Sequence, residues 1–245
     1  MVQGTETGTP QGGCISPLLA NIYLHYVLDL WVEKWRKKKA GGRVYIIRFA
    51  DDFILGFQKR SDAEALHREL GTRMRKFDLE LHPEKTRMVE FGRFASVRAR
   101  SKRRKPETFK FLGFVHACGR RKNGAFEVVR ITDSKKRQAK TQEIKKELRK
   151  RAHAKIPTVG KWLGSVVVGH CQYYGVPGNS NALWRFRLDI GRMWLRVLRR
   201  RSQKHTVTWE RMERLIRKYI PPCRITHPYP RMRFRVTTRG RSLVR

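Results

Sequence analysis

Ile46-Ile47-Arg48-Phe49-Ala50-Asp51-Asp52-Phe53-Ile54-Leu55-Gly56-Phe57 sets two adjacent carboxylates between two apolar, strand-forming runs. Apolar runs of this length around a short acidic break suit two antiparallel strands joined by a tight turn. Charged groups interrupt such a sheet only where solvent or a cation meets them. The segment therefore reads as a metal-binding β-hairpin with Asp51 and Asp52 as oxygen ligands. Hard carboxylates on a rigid turn suit Mg²⁺, which binds through one or two carboxylates together with substrate phosphates. Two-metal phosphoryl transfer uses such equipment. Taken alone, the segment also fits an ordinary hairpin whose turn carries Asp-Asp.

Upstream, Gly8-Thr9-Pro10-Gln11-Gly12-Gly13 runs into Ser16-Pro17-Leu18-Leu19-Ala20-Asn21-Ile22-Tyr23. Ser16 is a good N-cap, Pro17 suits the first helical position, and Leu19, Tyr23, Tyr26 and Leu30 recur at helical spacing. A glycine-rich loop thus opens a helix and lets backbone approach a ligand closely. The Gln11 amide can both donate to and accept from a nucleotide or a paired base.

With both motifs in place, the chain closely resembles reverse transcriptases of the group II intron type, also called intron-encoded maturases, almost end to end. The family's Pro-Gln-Gly-Gly segment, followed by Ser-Pro-Leu-Leu-Ala-Asn-Ile-Tyr-Leu, matches Pro10 to Gly13 and Ser16 to Leu24. The resemblance implies that Pro10, Gln11, Gly12 and Gly13, with Phe49 and Ala50, contact template and incoming nucleotide. The family's Tyr-Ala-Asp-Asp signature is Phe49-Ala50-Asp51-Asp52 here, which removes one hydroxyl and keeps the aromatic packing. Leu81-His82-Pro83-Glu84-Lys85-Thr86 looks like the next palm motif, whose lysine is proposed to assist pyrophosphate departure; Lys85 takes that place. Phe109 to Phe114 resembles the primer-grip strand, with Phe111, Leu112 and Gly113 at its centre.

The family also holds its metals with a third aspartate on an earlier palm strand, preceded by the fingers, and neither has a counterpart in this sequence. The expectation is a C-terminal portion of a longer enzyme, inactive as a polymerase alone. Asp29, Asp62, Asp133 and Asp189 do not fit the missing pattern and are expected at solvated or ion-paired surface positions.

Composition agrees with a polyanionic partner: 57 Lys plus Arg against 20 Asp plus Glu leave a formal net charge of +37. No stretch approaches the roughly 18 consecutive apolar residues of a spanning helix, so nucleic acid is preferred to a membrane. The first twenty residues hold no Lys or Arg and no apolar core, and an intracellular, cytoplasmic location is expected, with the nucleoid or an organellar matrix as alternatives. Cys14, Cys118, Cys171 and Cys223 lack the spacing of a zinc site and read as reduced structural thiols. The scattered histidines read as structural or surface groups, and no pattern of an HNH endonuclease is found.

The fold class expected is α+β: a partial polymerase palm, with an antiparallel sheet and packed helices over residues 1–133, then a mainly helical, basic thumb or maturase-specific domain over 134–245. Ser61-Asp62-Ala63-Glu64 reads as a capping box opening a helix that carries Leu66, Leu70, Met74 and Phe77 on one face. Thr86 to Phe91 reads as a strand, Arg93 to Lys105 as an exposed basic loop, and Phe109 to Val115 with Ala125 to Ile131 as a hairpin closed at Asn123-Gly124. Ser134 to Lys155 predicts a basic helix with a thin apolar stripe, and Asn181 to Arg201 a helix with Leu183, Phe186, Ile190, Met193 and Val197 inward and Trp184 and Trp194 in the core beside them. The region from Lys204 onward reads as a basic tail broken by prolines. Arg185, Arg192, Arg196, Arg199 and Arg200 are expected to cradle template and primer backbone.

These readings converge on an RNA-directed DNA polymerase. Asp51 and Asp52 would hold Mg²⁺, Lys85 would serve as an acid, and the partners would be intron or template RNA, a DNA primer, deoxynucleoside triphosphates and a separate N-terminal fingers and palm fragment. A non-catalytic RNA-binding maturase that assists intron folding and splicing is the alternative.

Overall fold

Val27, Leu28, Val32 and Trp35 fall on one side of a long helical rod, and their burial turns that rod into the floor of the first hydrophobic core. The computed structural model describes residues 14–121, 123–201, 207–230 and 232. Among these the fold is mixed α and β, with two small antiparallel sheets. The chain divides into two compact units, Met1–Met88 and Val89–Arg245.

In the first unit, α1 (Ser16–Leu24) passes through a π-type turn (His25–Asp29) into α2 (Leu30–Lys38). Ile15 is the N-cap and Ser16 the first helical residue, one position earlier than the sequence suggests, so Pro17 falls inside the first turn. None of α1 is buried; the stripe expected at Leu19, Tyr23, Tyr26 and Leu30 is exposed, and the buried stripe is shifted to Val27, Leu28, Val32 and Trp35. Strands β1 (Val44–Phe49) and β2 (Asp52–Phe57) form the expected hairpin. Helix α3 (Arg60–Arg75) places Leu66, Leu70 and Met74 in the same core, at the 3.6-residue period that the sequence shows.

The capping box does not form. The helix begins at Arg60, and Glu64 instead pairs with the Arg60 guanidinium one turn back. Asp62 is buried and accepts from the backbone amides of Gly41 (3.3 Å) and Gly42 (2.9 Å). Its role is to satisfy two amides of the α2–β1 connection, not the surface position expected of it.

The strand expected over Thr86 to Phe91 is irregular, and in the second unit the basic loop expected after it contains helix α4 (Arg93–Ser101). Arginine, alanine and serine carry no strong penalty in a helix, and burial of Ala95 suffices to anchor one face. The single strand expected over Phe109 to Val115 is split by a turn into β3 (Phe109–Phe111) and β4 (Phe114–Arg120), and β4 pairs with β5 (Phe126–Thr132). Gly124, at φ 78°, closes the β4–β5 turn as the Asn-Gly pair predicts.

Four helices follow: α5 (Ser134–Lys150), α6 (Ile156–Tyr174), α7 (Ser180–Arg199) and α8 (Trp209–Tyr219). Asp133 is buried, caps α5 by accepting from the Lys135 amide and pairs with Lys110 at 2.9 Å. Ile144 and Leu148 are the thin buried stripe of α5. Trp194 is fully buried among Leu183, Phe186 and Ile190, whereas Trp184 is 61% exposed and leaves the core expected of it. Helix α8 was not legible within the basic tail. It is capped by Thr208, buries Met212 and Ile216, and approaches α6 where Gly160 and Gly164 leave room for Tyr219.

Candidate active site

Strands β1 and β2 pair from Val44↔Phe57 to Phe49↔Asp52, so Ala50 and Asp51 alone form the turn and Asp52 begins the second strand. Alternation along β1 sends Val44, Ile46 and Arg48 toward the core and leaves Tyr45, Ile47 and Phe49 exposed. Both carboxylates stand exposed at the tip. Ala50 takes φ 53°, a left-handed conformation that costs a residue with a Cβ about 1–2 kcal/mol.

The strain is held by a group the sequence reading did not single out. Arg48 donates from Nη1 to the Ala50 carbonyl at 3.0 Å and to Asn21 Oδ1 at 2.8 Å. Its Nε and Nη2 grip the two oxygens of Asp29 at 2.9 and 2.7 Å. The Arg48 guanidinium holds the Asp29 carboxyl below the ordinary carboxylate range, and Asp29 raises Arg48 in return. Asp29 is thus ion-paired as expected, but the pair also buttresses the turn that carries Asp51. The available signal was Arg48 itself: a cation at an inward register position between apolar neighbours requires a partner.

Lys85 is exposed on a turn after α3, with its amide bonded to the His82 carbonyl at 3.2 Å. Pro10, Gln11, Gly12 and Gly13 lie outside the described residues. Among the described residues no group of three or more His, Cys, Asp or Glu gathers as a metal cage. Two exposed carboxylates on one tight turn are the donor set used by a hard cation that takes its remaining ligands from phosphate and water.

Phe111 ends β3, and Leu112 and Gly113 form the β3–β4 turn of the second unit. Leu112 (φ 48°) and Gly113 (φ 75°) both lie in the left-handed region, as the commonest tight hairpin turn requires. Two hydrogen bonds hold it, and a tyrosine closes over the glycine. The Tyr173 hydroxyl donates to the Leu112 carbonyl at 3.0 Å, the Asp133 amide donates to the Gly113 carbonyl at 2.9 Å, and a Cβ on Gly113 would stand 2.8 Å from the Tyr174 hydroxyl oxygen. Tyr173 also stacks on Phe114. Beside the turn runs a groove of about 860 Å³ lined by Phe111, Leu112, Phe114, Tyr173, Pro228 and Pro230, with Arg130 among its polar members.

On α7 Arg185, Arg192, Arg196 and Arg199 are exposed, as is Arg200 at its C-cap. Arg192, Arg196 and Arg199 line an open hollow of about 490 Å³ with Leu195 and Trp209. Arg199 also donates to the Val207 carbonyl at 2.9 Å, so its guanidinium is partly committed to the chain itself.

Residues 2–116 match the family model of reverse transcriptases, described as RNA-dependent DNA polymerases. The matched reverse transcriptase segment covers just under half of the chain and includes the Asp51–Asp52 hairpin, Lys85 and the Leu112–Gly113 turn. It supports templated polymerisation of deoxynucleotides as the general function. No curated protein matches the chain. No helix among the described residues is long and apolar enough to cross a membrane.

Proposed function

We propose that this chain supplies the catalytic hairpin, primer grip and thumb of a reverse transcriptase of the group II intron type, with residues 1–133 as palm and 134–245 as thumb. The observation that carries the reading is a tight, buttressed turn presenting Asp51 and Asp52 to solvent inside the reverse transcriptase segment. In the reaction, a primer 3′-hydroxyl attacks the α-phosphorus of a deoxynucleoside triphosphate and pyrophosphate leaves. When bound at Asp51 and Asp52, Mg²⁺ would supply the positive charge that offsets the triphosphate. Pro10 to Gly13, Phe49 and Ala50 position template and nucleotide, Phe111 to Gly113 hold the primer end, and Lys85 protonates the departing pyrophosphate. The arginines of α7 bind the nucleic-acid backbone.

Two carboxylates from one hairpin do not by themselves fix two metals about 3.5–4 Å apart. The outer face of β1, with Tyr45, Ile47 and Phe49 at 56%, 59% and 64% exposure, is apolar surface of the kind a further segment covers. Both points favour a separate fingers and upper-palm fragment as partner. Primer extension on an RNA template with Mg²⁺ tests this. The 245-residue chain alone is expected to be inactive, activity is expected on adding that fragment, and Asp51→Asn or Asp52→Asn is expected to cut the restored rate by more than about 10²-fold. Robust extension by the chain alone, or restored extension indifferent to both substitutions, refutes the assignment.

The basic hollow on α7 favours a second reading, an RNA-binding maturase without catalysis. If about six to ten phosphates are contacted, affinity for structured RNA falls by roughly 10³ to 10⁵ between about 50 and 200 mM salt. Arg192→Ala with Arg196→Ala should then weaken binding and flatten the salt slope, while Asp51→Asn leaves both unchanged. RNA binding with this profile, but no extension in the presence of the added fragment, selects the maturase reading.

A further inference from the structure

Cys171 and Cys223 are separated by more than fifty residues of chain, yet their Sγ atoms stand 2.6 Å apart. Cys171 is buried on the inner side of α6, and Cys223 is half-buried in the segment that follows α8. That segment is already tied to α6: the Thr226 and His227 amides both donate to the Gly175 carbonyl at 2.9 Å, and the Thr226 hydroxyl donates to the Cys171 carbonyl at 3.3 Å. From α7, Arg187 donates to the carbonyls of Ile220 and Pro221 at 2.8 and 3.0 Å. The two thiols are thus held together by backbone anchored on both sides. A disulfide sulfur pair spans about 2.05 Å, a short step from the spacing already present.

We propose that Cys171 and Cys223 form an oxidation site, a dithiol that a peroxide converts to an intramolecular disulfide and a thiol reductant restores. Cys223 is the attacking sulfur, because it is the more accessible of the two. The Cys171 hydrogen bond, with the charge of Arg187, also draws its thiol below the ordinary value. Its thiolate displaces hydroxide from hydrogen peroxide to give a sulfenic acid. The Cys171 sulfur then attacks the Cys223 sulfur, its thiol proton leaves with the displaced hydroxyl, and water is released as the S–S bond forms. Two thiols are oxidised and one peroxide is reduced. The new bond ties the segment carrying Pro228 and Pro230, which line the groove beside the Leu112–Gly113 turn, covalently to α6. The chemistry stands whether or not the chain polymerises nucleotides.

The test is hydrogen peroxide treatment of the full chain, followed by thiol titration, non-reducing peptide mapping and a thermal melt. The four thiols are expected to fall to two, leaving Cys14 and Cys118. A Cys171–Cys223 linked peptide should appear, the melting midpoint should rise, and dithiothreitol should reverse both changes. Cys171→Ser should accumulate a Cys223 sulfenic acid that a cyclic diketone traps, whereas Cys223→Ser should leave Cys171 unreacted. Should either variant fail to fold, the peptide map of the unsubstituted chain decides. Absence of the linked peptide from folded, peroxide-treated protein, or linkage to Cys14, Cys118 or a second chain instead, overturns the proposal.

Discussion

Ala50–Asp51 and Leu112–Gly113 are both two-residue turns closing antiparallel hairpins, and each puts a residue other than glycine in the left-handed region, Ala50 at φ 53° and Leu112 at φ 48°. The props differ. Arg48 supports the first turn from beneath, held in its turn by Asp29 and Asn21, so the support is charge. The second is supported by the Tyr173 hydroxyl, the Asp133 amide and the ring of Tyr174, so the support is packing with neutral hydrogen bonds. The guanidinium stands behind the first turn, bound to the Ala50 carbonyl, and leaves Asp51 and Asp52 exposed on the outside. The neutral hydrogen bonds and the tyrosine beside Gly113 fix the shape of the second turn without placing a charge behind it.

Acid should separate the two supports most strongly. His170 packs against Tyr174 and stacks on Phe186, and burial, with lesser contributions from the charges of Lys140 and Arg137, lowers it from 6.5 to about 4. A depressed folded value means that the unfolded chain takes up a proton first. The contribution is therefore complete above about pH 6.5, falls as the pH drops toward 4 and is gone below it, a loss of about 3 kcal/mol. Asp29 is depressed from 3.8, so its pairing with Arg48 is kept through that whole window and fails only at lower pH. Amide exchange at Leu112–Gly113 should quicken between about pH 6.5 and 4, beyond the intrinsic pH dependence, while the Ala50–Asp51 turn holds. His116, stacked on Phe109 across the hairpin and likewise lowered from 6.5 by burial, adds to the effect, so His170→Phe should reduce it and a further His116→Phe remove it; an equal loss of protection at both turns would erase the distinction.

Gly113→Ala should cost about 2 kcal/mol, part from a Cβ at φ 75° and part from displacing the Tyr174 hydroxyl 2.8 Å away. Gly124→Ala provides the control, since φ is 78° there but no atom stands within 4 Å of the added carbon. Urea denaturation should show the Gly113 variant less stable than the Gly124 variant by about 1 kcal/mol. Equal losses would mean that the tyrosine clamp adds nothing beyond backbone strain.

Arg48→Met keeps much of the apolar stem but removes the bonds to Ala50 and Asn21 and leaves Asp29 without its guanidinium. Because both partners are partly solvated, the loss should be about 1–2 kcal/mol, and it should shrink in high salt, which the Gly113 effect should not. Unfolding of the Arg48 and Gly113 variants at low and high ionic strength compares the charged support with the apolar one directly.

What the sequence made legible follows the range of the interactions. The Asp51–Asp52 hairpin, the α3 stripe and most of the α7 stripe were readable because period-2 and period-3.6 patterns act within one element. Helix α4 was hidden because its anchor is a single alanine, and α8 because Met212 and Ile216 are diluted by charges in a stretch that reads as tail. The Leu112–Gly113 turn was missed because leucine does not announce a left-handed residue; the cost is met by Tyr173, sixty-one positions away. Arg48 with Asp29 and Asn21, and Asp62 with the Gly41 and Gly42 amides, are likewise pairings between elements, and no local pattern encodes them. The Ala50–Asp51 turn was legible, then, and the pairings beneath it, like the whole of the second turn, were not.

Tyr173→Phe makes the smallest change and isolates one prop. The ring keeps its stack on Phe114, and only the hydroxyl that donates to Leu112 is lost. Tyr173 is 52% exposed, so water can replace part of the bond and global stability should drop by only about 0.5–1 kcal/mol. The local effect should exceed the global one, because Leu112 sits at φ 48° and relaxes once its carbonyl is released. Amide exchange at the β3–β4 turn should therefore accelerate by roughly 3- to 10-fold, with the protection of α7 and of the Ala50–Asp51 turn unchanged. Leu112→Gly added to Tyr173→Phe should restore stability by removing the strain that the hydroxyl holds in check. If the single variant exchanges like the unsubstituted protein, the Asp133 amide and Tyr174 suffice to hold the turn, and its clamp is backbone and shape alone.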